Sequence, residues 1–318
     1  MQFYNPNSSF DKQTLALFRH QFEHNTTYRS FCDLLNKTPT ETDRITEIPF
    51  LPISFFKSHR VSTGSKEHTH AFVSSGTSGN HSTHYVQDIG LYEESCLTAF
   101  EQFYGSADQY AVIGLLPGYL ERPDSSLIYM VQQLVESSND SDSGFYLDQY
   151  KELHDVLLER EAANKKTLLI GVSFALLDFA ESFPCQVPST IVMETGGMKG
   201  RRKELLREEL HRILKQRLGV GQIHSEYGMT ELLSQAYAPK NGVFFPPPWM
   251  RVLVRNPHDP FDVKQNGKGC LNIIDLANRN SCGFIATDDL GEVHADGSFE
   301  VLGRFDAADV RGCNLMIS

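Results

Sequence analysis

The sequence predicts an α/β protein with two lobes. The large lobe contains a mostly parallel sheet flanked by helices, and a smaller β-rich lobe follows it. Short apolar β-rich runs recur between residues 71 and 225, and helical segments separate them. Strands that alternate with helices in this way are typical of parallel βαβ units. After about residue 240 the pattern changes to short runs separated by turn residues. We therefore predict lobes at residues 1–240 and 241–318.

The N-terminal segment, residues 9–36, is predicted to form an amphipathic helix. Phe18 and Phe22 recur at helical spacing together with several leucines, and the hydroxyl of Ser9 can cap the first turn. The apolar run Ile45–Phe56 follows, but it carries two prolines. Because proline blocks helix interiors and sheet ladders, we expect this run to be extended chain pressed on a core, or the entry wall of a pocket.

Five β-rich runs are expected to supply the strands of the large lobe. They are Ala71–Ser74, Tyr110–Leu116, Thr167–Gly171, Thr190–Glu194 and Gln222–Ser225. The helices expected around and between them lie near residues 88–106, 124–137, 149–164, 173–182 and 200–218. The last helix has the clearest pattern, because leucines that include Leu205 and Leu206 fall on one face and Gly219 follows as a stop.

The smaller lobe is predicted to be an antiparallel, β-rich unit. Three prolines at Pro246–Pro248 precede its first run. Four runs follow with turn residues between them: Trp249–Arg255, Gly269–Asp275, Gly283–Thr287 and Ser298–Leu302. Such spacing is typical of short strands joined by tight turns.

Composition and charge exclude several functional classes. The chain has 29 basic and 40 acidic residues and a net charge of −11, which disfavours extended contact with nucleic acid or anionic lipid. No apolar run approaches the roughly 18 residues that suggest a membrane span, and the N-terminus lacks the features of a signal peptide. The six cysteines form no C-x-x-C pair, so neither a disulfide scaffold nor a zinc ribbon is indicated. We expect a cytoplasmic protein.

The segment Ser74–Gly79 has the composition of a phosphate-binding loop. It reads Ser-Ser-Gly-Thr-Ser-Gly and follows a β-rich run. Glycines let backbone N–H groups converge on one point, and hydroxyls add neutral donors. Because no lysine follows Gly79, the segment is not a P-loop. The alternative is an ordinary surface turn.

Ser225–Glu231 is a second candidate segment, reading Ser-Glu-Tyr-Gly-Met-Thr-Glu after another β-rich run. Glu231 is suited to hold Mg²⁺ together with phosphate oxygens, Thr230 to donate to a phosphate and Tyr227 to stack on a base. The alternative is a strand-end turn with solvated carboxylates.

Two further segments in the smaller lobe carry suitable polar groups. Thr287–Asp289 offers carboxylates that can accept from both hydroxyls of a ribose, and Gly303–Arg304 adds a charged donor. Ordinary β-turns rich in Asp and Gly are the alternative.

Together and in this order, these segments resemble the adenylate-forming superfamily of acyl-CoA synthetases, adenylation domains and luciferases. Ser75–Gly79 is similar to its phosphate loop, Tyr227–Glu231 to its Y-G-x-T-E segment, Thr287–Asp289 to its ribose motif and Gly303–Arg304 to its hinge motif. Gly196 and Gly197 fit the place where that family packs backbone beside the adenine.

A narrower resemblance is to acyl-protein synthetases of the LuxE type. The segments that carry it are Ile48–Phe56, Leu116–Ser126, Glu194–Lys199 and Arg311–Asn314. The resemblance implies that a fatty acid or other carboxylic acid attacks the α-phosphorus of ATP to give acyl-AMP. It also implies that the acyl group then moves to a C-terminal cysteine, here Cys313, and on to an acyl-reductase or acyltransferase partner.

The resemblance further implies a role for each matched residue. Ser75, Gly76, Thr77, Ser78 and Gly79 would surround the β- and γ-phosphates, Thr230 would contact the α-phosphate and Glu231 the Mg²⁺. Gly196, Gly197 and Tyr227 would contact the adenine, Asp289 the ribose, and Arg304 the ribose or a phosphate. Independently, the guanidinium of Arg311 favours the thiolate of Cys313, although an idle terminal thiol is the alternative.

One departure from the superfamily leaves other functions open. Its larger members continue past the hinge into a lobe of about a hundred residues, with a lysine that assists adenylation. This sequence ends at Ser318, so that lobe is expected to be absent. One alternative is a ligase that passes an aryl or acyl group to coenzyme A or another acceptor. The other is a non-catalytic nucleotide-binding partner in a biosynthetic complex.

Overall fold

The computed structural model describes residues 1–75, 81–118, 122–196 and 205–305. Its helices are α1 Phe10–His24, α2 Thr26–Leu34, α3 Phe55–Ser58, α4 Ile89–Tyr104, α5 Ser126–Ser138, α6 Tyr150–Ala162, α7 Ser173–Ser182 and α8 Arg207–Leu218. Short 3₁₀ turns lie at Ile45–Glu47 and Ala107–Gln109. None of the helices in this part of the chain combines the length and apolar character that a membrane span requires.

The strands form two large sheets and one hairpin. In chain order they are β1 Leu51–Pro52, β2 His70–Val73, β3 Thr83–Val86, β4 Ala111–Leu115, β5 Gly144–Phe145, β6 Thr167–Val172, β7 Thr190–Thr195, β8 Ile223–Tyr227, β9 Ala236–Ala238, β10 Val243–Phe244, β11 Met250–Asn256, β12 Asp259–Lys264, β13 Gly267–Asp275, β14 Phe284–Val293 and β15 Phe299–Arg304.

The first sheet has the order β5-β4-β6-β7-β8-β9 and confirms the predicted α/β fold. Its first five strands are parallel, and only β9 is antiparallel to its neighbour. Every residue of β4 and β6 is buried, as expected for central parallel strands that are covered on both faces. Because the strands are parallel, the carboxyl ends of β6, β7 and β8 meet at one edge.

The second sheet has the order β10-β15-β14-β13-β11-β12 and is antiparallel along this path. The proline-containing run near residue 50 contributes β1, which pairs in parallel with β14 and places Leu51 opposite Ile285. A bridge between Tyr237 and Phe245 joins the end of the first sheet to the beginning of the second. The boundary near residue 240 stays a prediction, and β1 shows that the N-terminal run extends the second sheet.

The hairpin of β2 and β3 corrects one sequence-based expectation. The run Ala71–Ser74 was expected in the parallel sheet, but it forms β2, which pairs antiparallel with β3 and places Phe72 opposite His84. The connection between the two strands covers only residues 74–82. A parallel crossover needs a dozen or more residues, so a connection this short permits only an antiparallel return.

Two predicted helices also have different bounds. The single helix expected over residues 9–36 is divided at Asn25, whose extended backbone ends α1 and whose side chain accepts from the N–H of Tyr28 to begin α2. The expected cap at Ser9 is confirmed. Helix α8 begins at Arg207, so Leu206 precedes the helix and is 77% exposed rather than part of its apolar face. Gly219 ends α8 with a positive φ, as predicted.

Candidate functional site

The neck of the predicted phosphate loop is the connection between β2 and β3. The backbone N–H of Ser74 donates to the carbonyl of Ser82 at 3.0 Å, and the N–H of Ser82 donates to Ser74 Oγ at 2.9 Å. His81 Nδ1 lies 2.8 Å from the carbonyl oxygen of Ser74 and holds the same neck. Ser75 is exposed at the start of the loop. The remaining residues predicted for this loop, Gly76, Thr77, Ser78 and Gly79, lie outside the described residues.

The turn after β8 contacts this neck directly. The carbonyl of Thr230 lies 2.9 Å from Nδ1 of His84, a buried residue of β3. The carbonyl of Glu231 accepts a bond of 2.7 Å from Asn278 Nδ2, which comes from the loop after β13. The side chain of Glu231 interacts with the hydroxyl of Ser82. The structure therefore brings the phosphate-loop neck and the Thr230–Glu231 pair together.

Glu231, which is predicted to hold Mg²⁺, is a buried side chain. It is 4% exposed, and burial raises the pKa of its carboxyl, while the hydroxyl of Ser82 and the charges of Lys57 and Arg304 lower it. Mg²⁺ usually binds one or two carboxylates together with substrate phosphates. Within the described residues, no group of three or more His, Cys, Asp or Glu is arranged to hold a metal ion. The binding of Mg²⁺ by Glu231 together with substrate phosphates stays a prediction.

Tyr227, the predicted adenine contact, meets the predicted ribose residues across the two sheets. Tyr227, at the end of β8, donates from its hydroxyl to Asp289 Oδ2 at 2.7 Å. Arg304 reaches the same carboxylate from β15, with Nε 3.6 Å from Oδ1. The N–H of Asp289 donates to Thr287 Oγ1 at 3.1 Å. Burial raises the pKa of the Asp289 carboxyl, and the Tyr227 bond and Arg304 charge partly oppose this shift.

The ring of Tyr227 is packed more tightly than a simple base platform. It makes edge-to-face contacts with Phe244 at 5.8 Å and Phe299 at 5.3 Å, and the residue is 9% exposed. Burial is the main reason that its hydroxyl pKa lies well above the ordinary value. The hydroxyl therefore stays protonated and donates to Asp289. The stacking of this ring on adenine stays a prediction.

The end of β7 carries the predicted adenine contact. Gly196 has a φ of +66°, which favours glycine, and its carbonyl accepts from Ser173 Oγ at 2.5 Å. The neighbouring Glu194 is buried and contacts Arg207 Nε at 3.2 Å and His211 Nε2 at 3.6 Å. Burial raises the pKa of Glu194, but these two partners and the hydroxyl of Ser225 together outweigh it and hold the pKa below its ordinary value. Gly197 lies outside the described residues.

Several residues with a structural part in the site were not predicted. Ser82 and Asn278 belong to no recognisable motif. Asp275 was also missed, although its buried carboxylate accepts from the N–H groups of Leu233 and Ser234 at 2.9 and 3.1 Å. In the sequence, Asp275 is marked only as a carboxylate that follows the run Leu271–Ile274, which is apolar apart from one asparagine. Such a pattern is too general to identify a role.

Two other sequence-based suggestions have different outcomes. Cys313 lies outside the described residues, so its role stays a prediction. Phe56, at the end of the run considered as the entry wall of a pocket, is buried in the core at 2% exposure. A cavity of about 360 Å³ lies instead beside the extended run, where Phe31, Phe50 and Phe261 contribute apolar walls.

A family model supports the narrower resemblance over part of the chain. The model described as acyl-protein synthetase, LuxE, matches residues 4–112. This match covers the N-terminal helices, the extended run and the neck of the phosphate loop. No curated protein matches the chain. The match supports the resemblance to acyl-protein synthetases of the LuxE type over these residues.

Solved structures support the fold. ATP-bound MatB from Rhodopseudomonas palustris aligns with a TM-score of 0.57 and 16% identity, over 74% of this chain and 47% of that one. A 2-hydroxyisobutyryl-CoA ligase in its post-adenylation state aligns with a TM-score of 0.64 and 10% identity, over 95% and 72%. O-succinylbenzoate coenzyme A synthetase (MenE) from Bacillus subtilis, in complex with AMP, gives 0.50 and 17%, over 74% and 49%. The chain spans about half the length of MatB and MenE.

Proposed function

We propose that this protein uses ATP and Mg²⁺ to activate a carboxylic acid as acyl-AMP and then transfers the acyl group to the thiol of Cys313. One observation carries the proposal: near the end of β8, side chains from the phosphate-loop neck and from both sheets contact one another. The contacts are those of Glu231 with Ser82 and of Tyr227 with Asp289. The fold shared with nucleotide-bound ligases and the LuxE match support the same conclusion.

In the first step, a carboxylate oxygen of the acid bonds to the α-phosphorus of ATP, and the bond to the pyrophosphate oxygen breaks. Two anions must approach each other, so the site has to supply positive charge and hydrogen-bond donors. Bound Mg²⁺ supplies charge at the phosphates, and Glu231 is the residue that would hold it. In the proposed arrangement Thr230 donates to the α-phosphate, and Asp289 accepts from the ribose hydroxyls.

The other matched residues complete the proposed nucleotide site. Ser75 with Gly76, Thr77, Ser78 and Gly79 surrounds the outer phosphates; Gly196, Gly197 and Tyr227 contact the adenine; and Arg304 adds a donor at the ribose or phosphate. The exposure of Arg304, whose side chain is 81% accessible, leaves it free to turn toward the nucleotide.

In the second step, the thiolate of Cys313 attacks the acyl carbonyl, the bond to the AMP oxygen breaks, and a thioester remains. The five cysteines in the described residues are all buried free thiols, and burial raises the pKa of each. They are therefore poor nucleophiles, which favours Cys313 as acceptor. We propose a fatty acid as substrate, an acyl-reductase or acyltransferase as the next acceptor and the cytoplasm, where free thiols persist, as the compartment.

A second candidate is a ligase that passes the acyl group to coenzyme A. The observation that favours it is the set of structural neighbours, whose names include two coenzyme A ligases. A non-catalytic nucleotide-binding partner is the remaining alternative, and it predicts nucleotide binding without any exchange reaction.

The test begins with acid-dependent exchange of labelled pyrophosphate into ATP, measured across a panel of fatty and aryl acids. We expect exchange with at least one fatty acid, and a loss of at least about tenfold for Glu231→Gln, the order expected for removing a charged group from a reaction centre. Glu208→Gln, an exposed change on α8, is the matched control and should exchange like the unmodified protein. Exchange that is absent with every acid would favour the non-catalytic alternative.

Acyl transfer is tested in the same samples with labelled fatty acid. The unmodified protein should acquire a hydroxylamine-sensitive label, and Cys313→Ser should lose the label while still forming acyl-AMP. Cys185→Ser, which changes a buried thiol, is the control and should keep it. A label that persists in Cys313→Ser identifies another acceptor, and a label found only on added coenzyme A supports the second candidate.

A further inference from the structure

The turn that carries Thr230 and Glu231 is held from outside at two successive carbonyls. His84 from the β2–β3 hairpin lies against the carbonyl of Thr230, and Asn278 from the second sheet donates to the carbonyl of Glu231. Neither side chain belongs to the predicted nucleotide contacts. The two contacts span 146 and 47 residues of sequence, so tertiary structure rather than local geometry fixes this turn.

The protonation of His84 follows from its partner. A carbonyl oxygen only accepts hydrogen bonds, so the nitrogen 2.9 Å from Thr230 must carry a proton, and this nitrogen is Nδ1. His84 is 1% exposed, and burial lowers its pKa to about 4. The ring is therefore neutral near pH 7, and Nδ1 is its single donor. The ring of Phe56 packs edge-to-face against it at 5.7 Å and restricts its orientation.

Asn278 completes the support from the opposite side. Its Nδ2 donates to the Glu231 carbonyl at 2.7 Å, its side chain also faces the ring of His84, and the residue is 1% exposed. The backbone N–H of Asn278 donates to the carbonyl of Asp275 at 3.2 Å, and this bond ties the Asn278 backbone to the end of β13. His84 and Asn278 therefore hold the turn between the hairpin and the second sheet.

We propose that His84 is a positioning residue for acyl-adenylate formation: its Nδ1–H fixes the Thr230 peptide and so sets the Thr230 hydroxyl relative to the phosphate loop. The inference rests on the proposed function. Because His84 lies on β3, the strand that follows the predicted phosphate loop, its imidazole ties the Thr230 peptide to the hairpin that carries this loop. A displacement of Thr230 affects the transition state more than ground-state binding, since charge at the α-phosphorus develops during the reaction.

Two nearly isosteric replacements separate this role from simple packing. His84→Asn places an amide Nδ2–H near the position of Nδ1 and keeps a donor to Thr230, whereas His84→Gln extends its amide toward the position of Nε2 and leaves that carbonyl unpaired. In pyrophosphate exchange, we expect His84→Gln to lower kcat roughly ten- to hundredfold with the KM for ATP changed by less than about threefold. His84→Asn should recover most of the lost kcat.

The coupling to Asn278 provides a second measurement. In a double-mutant cycle with Asn278→Ala, the effects of His84→Gln on kcat should be clearly less than additive, because both changes release the same turn. Thermal unfolding of each variant accompanies the kinetics, and only variants with a cooperative transition are compared.

The outcomes distinguish this inference from the proposed function. An unmodified protein that gives no exchange with any acid overturns the proposed function and the inference with it. If the unmodified protein exchanges, equal activity of the Asn and Gln variants overturns the role of His84 alone. A change confined to KM, or to thermal stability at unchanged kcat, also contradicts it, because both indicate packing rather than positioning.

Discussion

Two buried glutamates at the ends of neighbouring strands have opposite pKa shifts. Glu194 on β7 faces Arg207 and His211, so its pKa falls below the ordinary value despite burial. Within the described ranges, no cation contributes to the pKa of Glu226 on β8. Burial raises its pKa to about 7, the charge of Glu194 adds to the shift, and the hydroxyl of Thr195, which donates at 2.6 Å, only partly opposes it. The site edge therefore holds one carboxylate and one carboxyl that is partly protonated near neutral pH.

This difference predicts a pH-dependent stability for Glu226→Gln. The pKa of Glu226 in the folded protein lies above its ordinary value of 4.5. Its contribution to the free energy of unfolding is therefore fully present below about pH 4.5 and is lost as the pH rises through about 7. This pKa shift corresponds to a change of roughly 3 kcal/mol in the free energy of unfolding. Since Gln stays neutral and can still accept from Thr195, the variant should gain stability relative to the unmodified protein between pH 5 and pH 8.

Urea unfolding at pH 5, 6.5 and 8 measures this difference in the free energy of unfolding. Glu208→Gln on the exposed face of α8 is the control and should show no trend of this kind. A Glu226→Gln variant that loses stability relative to the unmodified protein as the pH rises would contradict the raised pKa.

At the residue level, sequence reasoning found the groups with distinctive chemistry and missed those that support them. Tyr227 and Asp289 were expected around one nucleotide, and they are hydrogen bonded to each other. His84 and Asn278 act on backbone carbonyls, and any residue type with a donor can do so. Because such contacts depend on tertiary geometry and leave no spacing in the sequence, no motif could have identified them.

At the level of secondary-structure elements, apolar runs predicted where strands occur but not how they pair. Strands β4, β6, β7 and β8 lie within a residue or two of the expected runs. The hairpin of β2 and β3 was missed because its partner strand, Thr83–Val86, is short and half polar. The edge strand β12 was missed for a related reason, since most of its side chains are exposed and show no apolar alternation.

Asp275, at the end of β13, connects the residues that follow the Thr230–Glu231 turn to the second sheet. Asp275 accepts four bonds: the N–H groups of Leu233 and Ser234 at Oδ2, and the Ser234 hydroxyl and the Ala277 N–H at Oδ1. In Asp275→Asn one of these oxygens becomes an NH₂ group that faces donors. Leaving buried donors unpaired costs about 1–3 kcal/mol each, so we expect a loss of about 2–4 kcal/mol.

The measurement for Asp275→Asn is the urea midpoint at constant m-value. Asp262→Asn, which changes a carboxylate on the exposed edge strand β12, is the control and should stay within about 0.5 kcal/mol of the unmodified protein. A change equally small in Asp275→Asn would show that the turn does not depend on this anchor.

For the whole molecule, the candidate site is a property of the contact between two sheets. Strand β8 of the first sheet ends in Tyr227, while the second sheet and its loops contribute Asp289 and Asn278. The hairpin that carries the predicted phosphate loop reaches the turn between them. The resemblance to adenylate-forming enzymes implied this meeting, because separate turns that bind one nucleotide must converge. The parallel pairing of β1 with the second sheet could not be predicted from the sequence, because a two-residue strand has no periodicity to detect.

Binding of one nucleotide to groups from both sheets should protect both sheets together. With ATP and Mg²⁺ we expect slower amide hydrogen exchange in residues 228–233 and 287–290 at the same nucleotide concentration, because a ligand that binds only the assembled site stabilises every part of it. Helix α6, which carries no predicted contact, serves as the internal reference. Asp289→Ala should weaken the protection of both segments in parallel, since this change removes the proposed ribose acceptor. Protection confined to one segment would mean that the nucleotide occupies a single sheet, and the proposed cleft would then be wrong.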